Sequence, residues 1–86
     1  MKLDELEIGQ KIYWTRIIPK LDIYDLYELK VRRVADTWFV AVDKRTKHSY
    51  IFNDRDLDKI IFVDRNEALE IVKEKELEEW KSILKD

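Results

Sequence analysis

The sequence predicts a small α+β domain, mainly β: a five-stranded SH3-like barrel over residues 8–63, followed by a C-terminal amphipathic helix over 64–85. Three observations predict it. Up to about Val63 the apolar residues alternate with a period of two, and after Asp64 they recur at three-to-four spacing. The switch falls on Asp64-Arg65-Asn66-Glu67, which reads as a capping box: the Asp64 carboxylate accepts the Glu67 amide and Glu67 reaches back. Finally, 86 residues with 45% hydrophobic side chains, three Trp, four Tyr and three Phe suffice for one compact core and leave no room for a second domain.

The first strand is expected over 10–18, with Ile12, Trp14 and Ile18 on one face and Tyr13, Thr15 and Ile17 on the other. Pro19 removes a ladder donor and ends it. Residues 20–25 read as a long connection carrying Leu21, Ile23 and Tyr24. The second strand, 26–35, sets Tyr27, Leu29 and Val31 against Glu28, Lys30 and Arg32, and Arg32-Arg33 interrupts the alternation, which predicts a bulge. A tight turn at 35–37 leads into the third strand, 38–43, with Phe39 and Ala41 opposite Trp38, Val40 and Val42. Residues 43–47 form a polar hairpin loop before the fourth strand, 48–53. A short turn over 54–58, with the shape of one 3₁₀ turn, precedes a brief fifth strand, 59–63. This meander, with its 3₁₀-like link before the last strand, is the basis for the barrel expectation.

Within the helix the apolar stripe changes direction. Ala68, Leu69, Ile71 and Val72 share one bearing at about 100° per residue, and Leu77, Trp80, Ile83 and Leu84 lie roughly a quarter-turn away. Either the helix wraps or kinks over the barrel, or its first half docks on the barrel and its second half meets another chain.

Composition removes several function classes. With no cysteine, neither a disulfide framework nor thiolate–zinc chemistry is expected. The acidic opening Met1-Lys2-Leu3-Asp4-Glu5-Leu6-Glu7 is unlike a secretory signal, and no apolar run approaches the ~20 residues of a membrane span, so a cytoplasmic location and no membrane partner are expected. The net charge is −2, and the acids concentrate in the helix, so no strong field draws the whole chain to nucleic acid.

Residues 60–69, Ile60-Ile61-Phe62-Val63-Asp64-Arg65-Asn66-Glu67-Ala68-Leu69, resemble a recurrent ending of small phage and prophage proteins, in which a V-F strand runs into a T-R-E-E-A helix start. The hairpin from Trp38 through Phe52 and the opening Ile8-Gly9-Gln10-Lys11-Ile12-Tyr13-Trp14 are similar to theirs as well. The resemblance covers most of residues 8–73. Asp64 stands where those proteins carry a Thr cap, and Asn66 departs from their acidic pattern; neither changes the helix start. What it implies is an SH3-like domain on a mobile genetic element, mostly of unassigned function, with inhibition of a host defence nuclease among the roles of such proteins. It carries over no site residue.

Catalysis is not expected. Asp54, Asp56 and Asp58 alternate as in a calcium loop, yet Lys59 stands where that loop needs Gly and Arg65 where it needs a bidentate Glu. His48 is the single histidine, and its neighbour Ser49 points to the opposite face of the strand, so the two cannot pair as base and nucleophile. A phosphate loop needs glycines that are missing here. No metal site, catalytic residue or cofactor is therefore expected.

Two surfaces remain. The apolar one comprises Ile18, Leu21, Ile23 and Tyr24 of the long connection with Leu77, Trp80 and Leu84 of the helix; rimmed by Lys20, Asp22 and Asp25, it has the composition of a protein-binding patch. The basic one comprises Arg32, Arg33, Lys44, Arg45 and Lys47 and suits nucleic acid. The expectation is a non-catalytic interaction module with an unidentified protein partner; nucleic-acid binding is the alternative, and homo-oligomerisation through the helix a third possibility.

Overall fold

The computed structural model describes residues 1–84, and side-chain surroundings through Ile83. The predicted helix end at 85 thus lies outside the described residues. Five strands, β1 (Lys11–Ile18), β2 (Ile23–Val34), β3 (Trp38–Val42), β4 (Ser49–Asn53) and β5 (Ile61–Phe62), precede one helix, α1 (Arg65–Leu84). They form a single antiparallel sheet in the order β4-β3-β2-β1-β5. The sheet is open, with β4 and β5 as its edges and no ladder between them among the described residues.

One face of the sheet carries the main core. Ile12 pairs across the ladder with Leu29, Val31 with Ala41, and Phe39 with Phe52, and all six are buried. Leu57 and Ile61 join them, together with Leu3 and Leu6 from a 3₁₀ turn at Leu3–Glu5. This amino-terminal contribution to the core was not among the expectations from sequence. The i, i+3 spacing of Leu3 and Leu6 was the available signal. Gly9, in the turn just before β1, sits at φ +90, a conformation costly for a side chain, and donates its N–H to the Val31 carbonyl at 2.7 Å. The predicted bulge falls between Val31 and Arg33.

The largest departure from expectation is β2. It starts at Ile23, so residues 20–25 are not a long connection. Pro19–Leu21 forms a single 3₁₀ turn and Asp22 reverses the chain in the left-handed region (φ 54, ψ 39). Ile18 then pairs with Ile23 and Ile17 with Tyr24. The physical reason is that this end of β2 is apolar on both faces: Tyr24 and Leu26 point one way and Ile23 and Tyr27 the other. A strand covered on both sides loses its period of two and reads as irregular.

The opposite face of the sheet holds a second, smaller core under α1. Tyr24 lines a cleft with helix residues, so its cross-strand partner Ile17, and Thr15 two residues back, share the helix side. Ala68 and Val72 are buried there, as is Thr15, whose hydroxyl and backbone N–H both donate to the Ile60 carbonyl at 3.0 and 2.8 Å. The helix is uninterrupted from Arg65 to Leu84. Its cap differs from the expected box: the Asp64 carboxylate accepts the Asn66 N–H at 3.0 Å, and no bond to the Glu67 amide is present. Removing this cap by Asp64→Ala should cost about 1 kcal/mol and lower the thermal midpoint by about 4–8 °C, as measured by calorimetry.

The molecule is elongated. Its radius of gyration is 14.1 Å, against about 12 Å for a compact domain of this length. Beyond their pairings with β5 and β3, β1 and β2 continue as a two-stranded arm, with the end of α1 beside its tip. No helix among the described residues is long and apolar enough to cross a membrane.

Candidate functional site

At the tip of this arm, the β1–β2 turn and the last turns of α1 enclose a cleft of about 240 Å³ lined by Pro19, Asp22, Tyr24, Glu76, Glu79, Trp80 and Ile83. Helix positions 76, 79, 80 and 83 are spaced by three or four and so present one side to the hairpin. A shallower groove on the same helix, lined by Lys73, Glu76, Leu77 and Trp80, adjoins it through Glu76 and Trp80. Around these openings four large apolar side chains stand in solvent: Leu21 is 65% exposed, Leu77 54%, Trp80 55% and Ile83 59%.

The structure thus brings two of the expected residues, Tyr24 and Trp80, into one site, with Leu21 in the adjoining turn and Leu77 on the neighbouring groove. Ile18 and Ile23 are half-buried partners within the ladder and not loop surface, which corrects their expected setting. The Leu84 side chain lies outside the described residues. Pro19, Glu76, Glu79 and Ile83 were not anticipated as site residues, whereas Asp22 was expected in the polar rim and lines the cleft itself. For the helix residues a signal existed in their i, i+3 and i+4 spacing around Trp80.

The electrostatics of the cleft are one-sided. Among the described residues, the charged ones that line it, Asp22, Glu76 and Glu79, are all acids. The Tyr24 hydroxyl oxygen is shielded from solvent and has no hydrogen-bond partner among the described residues. Burial first, then the negative charges of Glu79, Asp22 and Glu76, raise the Tyr24 phenol above its ordinary pKa. The unfolded chain therefore releases this proton more readily than the folded one. Stability from this source is intact below the ordinary phenol pKa of about 10 and is lost as pH rises toward the folded value. Tyr24→Phe should accordingly flatten the alkaline decline in stability above about pH 10, measured by denaturant titration across that range.

The expected basic residues occupy a different part of the sheet. Arg32 and Arg33 are exposed at the bulge, and Lys44, Arg45 and Lys47 are exposed in the β3–β4 loop, where the Asp43 carboxylate accepts the Arg45 N–H at 2.9 Å. Lys44 and Arg45 line a groove with Leu26, Tyr27, Glu28 and Asp43. Contact with Lys44 and its charge, then partial burial, then the charge of Lys11, hold the Lys30 ammonium below the ordinary lysine range. Among the described residues the ion pairs are Lys75 with Glu78 and the N-terminal ammonium with Asp58, so none of these cations is neutralised by a salt bridge. Half-buried aromatics lie alongside: Trp14 sits 5.4 Å from Tyr27 and 5.0 Å from Tyr50, and Tyr50 sits 6.5 Å from His48. No group of three or more His, Asp or Glu side chains is placed to hold a metal among the described residues. In comparisons with protein-family models, curated proteins and solved structures, nothing matches this chain.

Proposed function

We propose that this chain is a non-catalytic protein-interaction module whose binding site is the tip of the β1–β2 arm together with the end of α1. The observation that carries the reading is four apolar side chains, each more than half exposed, at one end of the molecule: Trp80 and Ile83 line the cleft, Leu77 lines the adjoining groove and Leu21 lies in the turn between the cleft residues Pro19 and Asp22. An 86-residue chain gains little by leaving four such side chains in water. A central Trp, apolar neighbours and a polar rim form the anatomy of a binding hot spot. The strand order, in which the fifth strand of a meander returns beside the first, supports an SH3-like classification. Together with the likeness of residues 60–69 to small phage and prophage proteins, it supports a phage or prophage origin and, as the role carried forward, inhibition of a host defence protein.

The test is site-specific photocrosslinking in a bacterial lysate, with the crosslinker placed at Leu77 or at Lys44. A partner protein captured from position 77, and lost on Trp80→Ala, supports the reading. Capture from position 44 alone contradicts it.

A second reading, nucleic-acid binding, is favoured by the row Tyr27–Trp14–Tyr50 beside unpaired Lys44 and Arg45, since bases stack on rings while cations meet phosphates. Glu28 and Asp43 in the same groove oppose it. If it holds, affinity for a single-stranded oligonucleotide falls steeply with salt; absence of binding at low salt eliminates it.

A further inference from the structure

Building on the protein-binding reading, we propose that the cleft between the β1–β2 turn and α1 receives one cationic side chain, arginine or lysine, from the partner. Its walls and its charges fit such a group. Trp80 offers an exposed indole, the ring that attracts a cation most strongly. Pro19 and Ile83 supply apolar surface for the aliphatic stem of a long basic side chain. Asp22, Glu76 and Glu79 place three carboxylates around the same space, and among the described residues no lysine or arginine lines it.

Other occupants fit less well. A purely apolar group would strip water from the three carboxylates without replacing their hydrogen bonds. An anion would meet like charge on two sides. The Tyr24 phenol forms part of the cleft wall. Burial first, and then the negative charges of Glu79, Asp22 and Glu76, raise its pKa, so these carboxylates act on the same part of the cleft. Arginine suits the site better than lysine, because its planar fork can lie on the indole while donating to a carboxylate at its edge. The exposed Leu21 and Leu77 at the margins call for apolar residues on either side of the cation.

The experiment titrates ¹⁵N-labelled protein with the N-acetylated, amidated peptide Leu-Ala-Arg-Ala-Leu and with the same peptide carrying citrulline, the neutral isostere of arginine. Shifts centred on the Trp80 indole N–H and the Tyr24 and Ile83 amides, about tenfold weaker with citrulline, are expected. The double variant Glu76→Gln/Glu79→Gln should keep the folded spectrum and lose the preference. Equal affinity of both peptides at the cleft overturns the cationic occupant while leaving a protein-binding site there. Shifts confined to other residues, or none at millimolar peptide, overturn it too. Concentration-dependent shifts of the same signals without peptide, matched by a dimer in sedimentation, identify a second copy as the occupant and likewise overturn it. The protein-binding reading fails separately, when crosslinking from position 77 captures no partner.

Discussion

Phe39→Ala should be the most destabilising simple truncation in this chain, costing about 3–5 kcal/mol. Phe39 is fully buried at the centre of the sheet, where its ring lies 5.5 Å from Phe52 and its neighbours Val31 and Ala41 are buried as well. Truncation removes the transfer free energy of the ring and leaves a cavity that flanking β-strands, fixed by their ladders, collapse into poorly. An 86-residue domain has only about 4–13 kcal/mol in total. The variant should therefore lose more than about 10 °C in its thermal midpoint, and a substantial fraction will be unfolded at 37 °C. A loss below about 1 kcal/mol would show that the main core does not lie on this face.

Trp80→Ala should have the opposite profile. Its ring is more than half exposed, and its neighbours on the helix surface, Leu77 and Ile83, are exposed too. Nearly half of the ring's area is covered, so stability should fall by about 1–2 kcal/mol, well short of the loss at Phe39. Partner affinity should fall by about 30-fold or more, the signature of a central aromatic anchor at about 2 kcal/mol or above. The two variants together separate folding from binding: Phe39→Ala weakens the partner complex only in proportion to the unfolded fraction, and Trp80→Ala weakens it in a fully folded chain. Circular dichroism and calorimetric titration on both variants would read the two effects independently.

Much of the fold was legible because its signals are local. The Phe39/Ala41 alternation, the bulge near Arg32-Arg33 and the helix start at Asp64 follow from side-chain period and short-range backbone geometry, and each appears where the residues indicate. The start of β2 was illegible for a tertiary reason. Tyr24 and Leu26 acquire a reason to be apolar only once α1, more than forty residues later in sequence, covers that face. The same distance hid the cleft. Tyr24 and Trp80 could each be singled out as unexplained apolar residues, but their juxtaposition, and the carboxylates of Asp22, Glu76 and Glu79 around them, depend on how the helix lies along the hairpin. The stripe change within α1 was visible and its consequence is physical: Ala68 and Val72 are buried on the sheet, and Leu77, Trp80 and Ile83 rotate away into solvent.

The basic surface was legible as composition but not as an arrangement. The bulge sets Arg33 opposite Val40, whereas Lys44 follows the end of β3 and, with Lys11, acts on Lys30. The register, which alternation alone does not supply, decides which charges act together.

The most direct test of the central claim is an amide hydrogen-exchange footprint of this chain with its captured partner. Slowed exchange at residues 20–24 and 76–83, with residues 44–50 unchanged, is the predicted result. Protection concentrated at 44–50, with the arm and the helix end exchanging as in the free chain, would contradict it.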